Sequence, residues 1–240
     1  MPELWRDFLT HSGHPAHKWT HYFPVYERHF ERYQNRPALF WEIGVGQGGS
    51  LQLWKQFLGP YAQIIGLDIE DKRRYEEDQI SIRTGDQSDP GFLQSVLDEF
   101  GPPDMVLDDG SHVMAHVAAT FRYLYPKTAS GGVYLIEDLH TAYWPEYGGG
   151  LREPGSFMEM AKDLIDELNA EDARGALQPT EFTASTLSIH FYQSIVAFER
   201  GRHGKRHAPH TGNPEELPVW PKPRRFSRSS ALRPKGPKAD

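Results

Sequence analysis

Two short stretches of the 240-residue sequence hold side chains that could do chemistry together: Asp108-Asp109-Gly110-Ser111-His112 and Glu137-Asp138. Each follows an apolar run, 104–107 (DMVL) and 133–136 (VYLI), that reads as a buried strand, so both stretches belong where strands end. Four carboxylates gathered there repel one another and are driven toward protonation unless a cation neutralises them. The sequence has no cysteine, which excludes disulfides, thiolate metal sites and cysteine nucleophiles. Any metal must therefore be held by oxygen or imidazole, which favours Mg²⁺, Mn²⁺ or Ca²⁺. His112 stands three residues beyond Asp109 at the start of a helical pattern. Histidine titrates near neutrality, so an imidazole at that place suits removal of a proton from a bound group. The competing structural reading makes Asp109 or Asp138 a helix cap, leaves the other acids solvated and puts His112 at the surface.

A second set of residues lies upstream. In Glu42-Ile43-Gly44-Val45-Gly46-Gln47-Gly48-Gly49-Ser50 the glycines come where a strand must turn sharply into a helix. Without a Cβ, backbone there can approach a ligand closely, although such a loop can also be a plain connector. Asp68 follows some 22 residues later, where an acidic side chain can accept hydrogen bonds from both hydroxyls of a ribose. That spacing suits NAD and S-adenosylmethionine alike. Gly85-Asp86-Gln87 after the third strand adds a carboxylate and an amide for an adenine edge. Acids crowding the fourth and fifth strand ends favour S-adenosylmethionine, since hydride transfer gains little from them. The expected cofactor residues are Glu42, Gly44, Gly46, Gly48, Ser50, Asp68, Asp86, Gln87 and Asp108.

These motifs need a scaffold that brings strand ends together. From residue 38 onward, short apolar runs (38–45, 63–69, 80–84, 104–107, 133–136) alternate with amphipathic helical stretches, the pattern of βαβ units. Residues 187–200 (LSIHFYQSIVAFER) are long enough for two strands turning near Gln193-Ser194. The fold expected is α/β: a doubly wound, mostly parallel, Rossmann-like sheet with a C-terminal antiparallel hairpin. Three parts are expected, namely a lead or lid segment over 1–37, the cofactor-binding domain over 38–201 and a basic, proline-rich tail over 202–240. No repeat of 20–50 residues is present.

Composition bounds the rest. With 38% hydrophobic and 25% charged residues, one medium-sized domain plus appendages is expected. No apolar run is long enough to span a bilayer and the start lacks the layout of a secretion signal, so a cytoplasmic protein with no membrane partner is expected. The net charge of −7 hides an asymmetry: residues 201–240 hold ten of the 26 Lys/Arg but three of the 33 Asp/Glu, leaving 16 basic and 30 acidic side chains in the first 200. Such a tail reads as a solvated extension partly folded back on an acidic body, or as a contact for a polyanion. An acidic body disfavours phosphate backbones, so no nucleic-acid partner is expected.

Asp108-Asp109-Gly110-Ser111-His112 followed by Ile136-Glu137-Asp138-Leu139-His140-Thr141-Ala142-Tyr143-Trp144 resembles the metal-dependent macrolide-sugar O-methyltransferases, down to the 28 positions from Asp109 to Glu137. Similarity extends to residues 21–30, to Leu53-Trp54-Lys55, to Gly85-Asp86-Gln87-Ser88-Asp89-Pro90 and to Ser188-Ile189-His190-Phe191-Tyr192, covering roughly 18–201. The glycine loop is more compact than theirs, and these 240 residues hold no counterpart of the large auxiliary domain that precedes the core in those enzymes. The resemblance implies Asp109, Glu137 and Asp138 as Mg²⁺ or Mn²⁺ ligands and His112 as the catalytic base, so that the expected catalytic residues are His112 and the ligand Asp109. The expected reaction is methyl transfer from S-adenosylmethionine to a hydroxyl of a sugar, macrolide or other small molecule, by an enzyme that could form a homo-oligomer. Tyr22, Phe23, Tyr143 and Trp144 are expected near the pocket mouth. The competing functions are methylation of RNA or another polyanion, a non-catalytic cofactor-binding module, and a nicotinamide dehydrogenase.

Overall fold

A period-two alternation of apolar side chains builds the centre of the molecule. In strand β1 (Ala38–Ile43), Phe40 points to one face while Trp41 and Ile43 point to the other. The same division runs through β4 (Met105–Asp108), β5 (Val133–Ile136) and β7 (Ile195–Arg200), as strands buried on both faces require. With β2 (Ala62–Asp68), β3 (Ile80–Thr84) and β6 (Thr186–Tyr192) they form a seven-stranded sheet in the order β3-β2-β1-β4-β5-β7-β6. The first five strands in that order are parallel, and β7 and β6 close it as an antiparallel hairpin. This is the doubly wound α/β sheet with a C-terminal hairpin that the sequence pattern implied. The computed structural model describes residues 3–204 and 206–212. The chain divides into two units, 1–204 and 205–240, and beyond Gly212 the basic tail lies outside the described residues.

Helices cover both faces. Helices α1 (Glu3–Thr10), α2 (Phe23–Phe30) and α3 (Gly49–Leu58) join one core, and α4 (Pro90–Phe100), α5 (Met114–Leu124) and α6 (Phe157–Leu168) join the other. A short α7 (Glu181–Ser185) leads into β6. The residues expected as a lead segment thus place Tyr22, Tyr26 and Phe30 at 0% exposure. An aromatic nest fixes α2 on the sheet: Phe30 meets Phe40 edge-on at 5.5 Å between ring centres, and Trp54 meets Tyr26 at 5.1 Å. Such pairs add about 0.5–1.5 kcal/mol each beyond burial.

Strand order reverses between β1 and its two neighbours, β2 and β4, and the crevice beyond the carboxyl ends at such a switch is where doubly wound sheets bind ligands. Two glycines shape it. Gly44 follows β1 at φ +92°, and a Cβ there would come within 2.0 Å of the carbonyl oxygen of Asp109. Gly49 lies so close to the backbone of residues 14 and 15 that a Cβ would meet their carbonyl oxygens at 2.1 and 2.4 Å. Both strain and collision oppose Gly44→Ala, so this variant is expected to lose about 2 kcal/mol or more of stability. Thermal unfolding checks it: the melting temperature should fall by several degrees, and an unchanged value would contradict the tight packing of the β1 turn on the Asp109 backbone.

Candidate active site

The carboxyl ends of β1, β2 and β4 surround a cleft in two connected parts. One is lined by Asp68, Gly85, Asp86, Gln87, Ser111 and His116, the other by Pro15, His17, Lys18, Gly46, Ser50 and Asp109, and both include Gly44, Asp68 and Gly110. Asp68 ties its carboxylate to the glycine turn, accepting from the backbone of Val45 at 2.9 Å and Gly46 at 3.4 Å. Asp86 accepts from the amide and hydroxyl of Ser88, and these two bonds draw its carboxyl below the usual carboxylate range. Gln87 bridges strands: its amide nitrogen donates to Asp108 at 3.1 Å and its oxygen accepts from the Ser111 backbone at 2.7 Å. Ser50 donates to Glu42 at 2.8 Å.

Not every expected cofactor residue lines the cleft. Asp108 is 1% exposed and sits beneath the β4 turn, bonded by Gln87 and, at 3.4 Å each, by Gly110 backbone and the Tyr134 hydroxyl. Burial pushes its carboxyl up to about 7. Glu42 is fully buried behind Ser50, raised by that burial. Its Oε1 accepts no hydrogen bond and faces the Lys18 ammonium at 3.2 Å.

Beside the cleft, Asp109, His112 and Asp138 come together. Nε2 of His112 is 3.7 Å from Asp109 Oδ1 and 3.8 Å from Asp138 Oδ2, and one ligand atom from each of the three lies within 4.8 Å of the others. Two carboxylate oxygens at that spacing fit a hard divalent cation that completes its shell with water or a substrate hydroxyl, and the imidazole nitrogen beside them is placed to accept a proton from such a ligand. His112 and Asp138 both adopt left-handed backbone, at φ +58° and +57°. For a histidine this costs on the order of 1 kcal/mol or more, and such strain gathers at functional sites. Glu137 is placed differently: it is 3% exposed, and its oxygens accept from Tyr26 Oη at 2.5 Å and Lys18 Nζ at 3.0 Å. Burial and the nearby Asp109 push its carboxyl well up, against the pull of Lys18.

Lys18, which no strand-end motif marks, is the central residue of the site. It lies outside the sheet, yet its buried ammonium is 2.5 Å from Asp109 Oδ2, 3.0 Å from Glu137 Oε1 and 3.2 Å from Glu42 Oε1. Burial alone would pull this ammonium down, but the three acids hold it well above the ordinary lysine range. Tyr22 also belongs to the site, donating to Asp138 Oδ1 at 2.6 Å. The signal the sequence offers is the four-residue spacing of Lys18, Tyr22 and Tyr26, of which the last two lie on helical turns. His140 is 3.8 Å from Asp138, beside Trp144 and Trp19 at the exposed rim.

Asp108 yields a pH prediction. Its folded carboxyl titrates near 7 against 3.8 for an ordinary aspartate, so the folded state holds the extra proton between those values. This group's contribution to stability therefore falls as pH rises from about 4 through 7. Asp108→Asn removes the effect. It should stabilise the protein at pH 8 by about 2–4 kcal/mol and by much less at pH 5, read by urea unfolding at both. Equal effects at the two pH values would contradict an abnormally protonated Asp108.

No family model matches the chain. It is 38% identical over 209 residues to the 8-demethyl-8-(2-methoxy-α-L-rhamnosyl)-tetracenomycin-C 3'-O-methyltransferase of Streptomyces olivaceus, covering 81% of this chain and 53% of that protein. Demethylmacrocin O-methyltransferase of Streptomyces fradiae is 38% identical over 214 residues, with 84% and 53% covered. Among solved structures, the MycE methyltransferase of the mycinamycin biosynthetic pathway, in complex with Mg, SAH and mycinamycin VI, is 37% identical with a TM-score of 0.76, covering 87% of this chain and 55% of that one. The chain spans about half the length of the relatives it matches. In sequence and fold it belongs to the family of macrolide- and sugar-directed O-methyltransferases that these relatives represent.

Proposed function

We propose that this chain transfers a methyl group from S-adenosylmethionine to a hydroxyl of a small-molecule glycoside, assisted by Mg²⁺ or Mn²⁺. The observation that carries this reading is the convergence of Asp109, His112 and Asp138 at the edge of the cleft beyond β1, β2 and β4. The cleft's chemistry favours this cofactor over a nicotinamide dinucleotide. A pyrophosphate calls for cations or free amides, whereas Asp68 and Asp86 line the cleft, and its Lys18 is already engaged by three acids. A sulfonium nucleoside carries positive charge and suits acidic walls.

In this reading Asp68, Asp86 and Gln87 hold the nucleoside, and the turn from Gly44 to Ser50 receives the amino-acid portion. Asp109 and Asp138 would hold the divalent ion, which would lower the pKa of a chelated hydroxyl and fix its orientation. Nε2 of His112 faces those oxygens and takes the hydroxyl proton, leaving the oxygen to attack the methyl carbon as the thioether departs. Glu137, bonded through both oxygens to Tyr26 and Lys18, supports the ligands from behind. Alignment and charge neutralisation account for most of the acceleration, since the cofactor already carries an activated methyl.

Methyl transfer to a panel of rhamnosides and related deoxysugar glycosides, measured with and without chelator, tests the reading. His112→Asn should lower the rate by about 10²–10⁴-fold. Asp109→Ala should abolish the metal-stimulated rate while calorimetry still detects S-adenosylhomocysteine. Full activity in chelator, or full activity of His112→Asn, would overturn it.

A further inference from the structure

The N-terminal segment meets the site with three hydrogen-bond donors at a regular interval. Lys18, Tyr22 and Tyr26 are four residues apart, the last two on the 3₁₀ turn Thr20–Tyr22 and the α2 helix that continues it. Each donor reaches a different acid: Lys18 Nζ to Asp109 Oδ2, Tyr22 Oη to Asp138 Oδ1, Tyr26 Oη to Glu137 Oε2. The oxygens left over are the informative ones. Asp109 Oδ1 and Asp138 Oδ2, the partners of the two bonded oxygens, are those that face His112 Nε2. Each aspartate therefore has one oxygen engaged from behind and one turned to the shared point. Glu137 has both engaged.

We propose that Tyr22 and Lys18 are positioning residues that fix the metal-binding aspartates so that each presents a single oxygen to the ion, with Tyr26 acting one step behind them through Glu137. The inference rests on the metal-assisted reading above and assigns a role to residues outside the strand-end motifs. A carboxylate free to rotate can chelate through both oxygens or swing away, and a hydroxyl donating to one oxygen removes those options. The Tyr22 hydroxyl donates to Asp138 Oδ1 at 2.6 Å. Its support is rigid: α2 is pinned by the aromatic nest, and at its far end buried His29 contacts Glu199 at 2.7 Å and the Tyr192 hydroxyl at 3.0 Å.

The test is Mn²⁺ binding to the full chain, followed by electron paramagnetic resonance of the free ion, with S-adenosylhomocysteine affinity and melting temperature measured in parallel. Tyr22→Phe removes one hydroxyl and should weaken Mn²⁺ by about 10–100-fold, as outer-shell partners of metal ligands typically do. S-adenosylhomocysteine affinity should stay within about twofold of the wild type, because Tyr22 is absent from the cleft lining. Tyr26→Phe, acting through Glu137, should weaken Mn²⁺ as well and serves should Tyr22→Phe fail to fold. Unchanged Mn²⁺ affinity in a folded Tyr22→Phe protein overturns the positioning role alone. A wild-type protein that binds S-adenosylhomocysteine but no Mn²⁺ overturns both this role and the metal-assisted reading.

Discussion

Electrostatic repulsion among acids at two adjacent strand ends is the constraint on which the rest of the site depends. Asp108, Asp109, Glu137 and Asp138 all lie at the ends of β4 and β5, and Glu42 is the last residue but one of the neighbouring β1. Buried carboxylates so close cannot all stay ionised without compensation. The protein distributes the burden. Asp108 is kept near neutrality by burial, Lys18 serves Glu42, Asp109 and Glu137 at once, and tyrosine hydroxyls hold Glu137 and Asp138. What remains uncompensated is one oxygen each on Asp109 and Asp138, beside His112.

Compensation also explains why the segment before β1 belongs to the core. A lysine from a loosely attached strap would pay heavily in entropy to sit among three acids. Aromatic packing of Tyr26, Phe30, Trp54 and Phe40 fixes α2, and with it the tyrosine donors and the segment from Lys18 that leads into it. The same segment passes over the glycine turn, close enough at residues 14 and 15 that only glycine fits at position 49. One stretch of chain therefore braces the carboxylates and walls the cleft through Lys18.

Much of this was legible in the sequence. Apolar runs of strand length alternating with helical spacing gave the sheet, and the Gln193-Ser194 pair marks the turn of the β6-β7 hairpin. Asp109, His112 and Asp138 were readable as neighbours because they follow strands that must be parallel and adjacent. Two features were not readable. Strand-end motifs do not say which way a carboxylate turns, so Glu137, facing back toward Tyr26 and Lys18, and Asp108, beneath its turn, look equivalent to Asp109 in sequence. Nor does local pattern show that Lys18, 91 residues before Asp109, is its closest charged partner, because that contact depends on tertiary packing of the segment leading into α2.

The most direct measurement is a crystal structure of the chain soaked with Mn²⁺ and S-adenosylhomocysteine, with the ion located by anomalous scattering. The account predicts one peak within coordination distance of Asp109 Oδ1 and Asp138 Oδ2, beside His112, with the nucleoside in the cleft near Asp68 and Asp86. A peak at the Lys18 ammonium position, or none at the aspartates with the nucleoside bound, would contradict it.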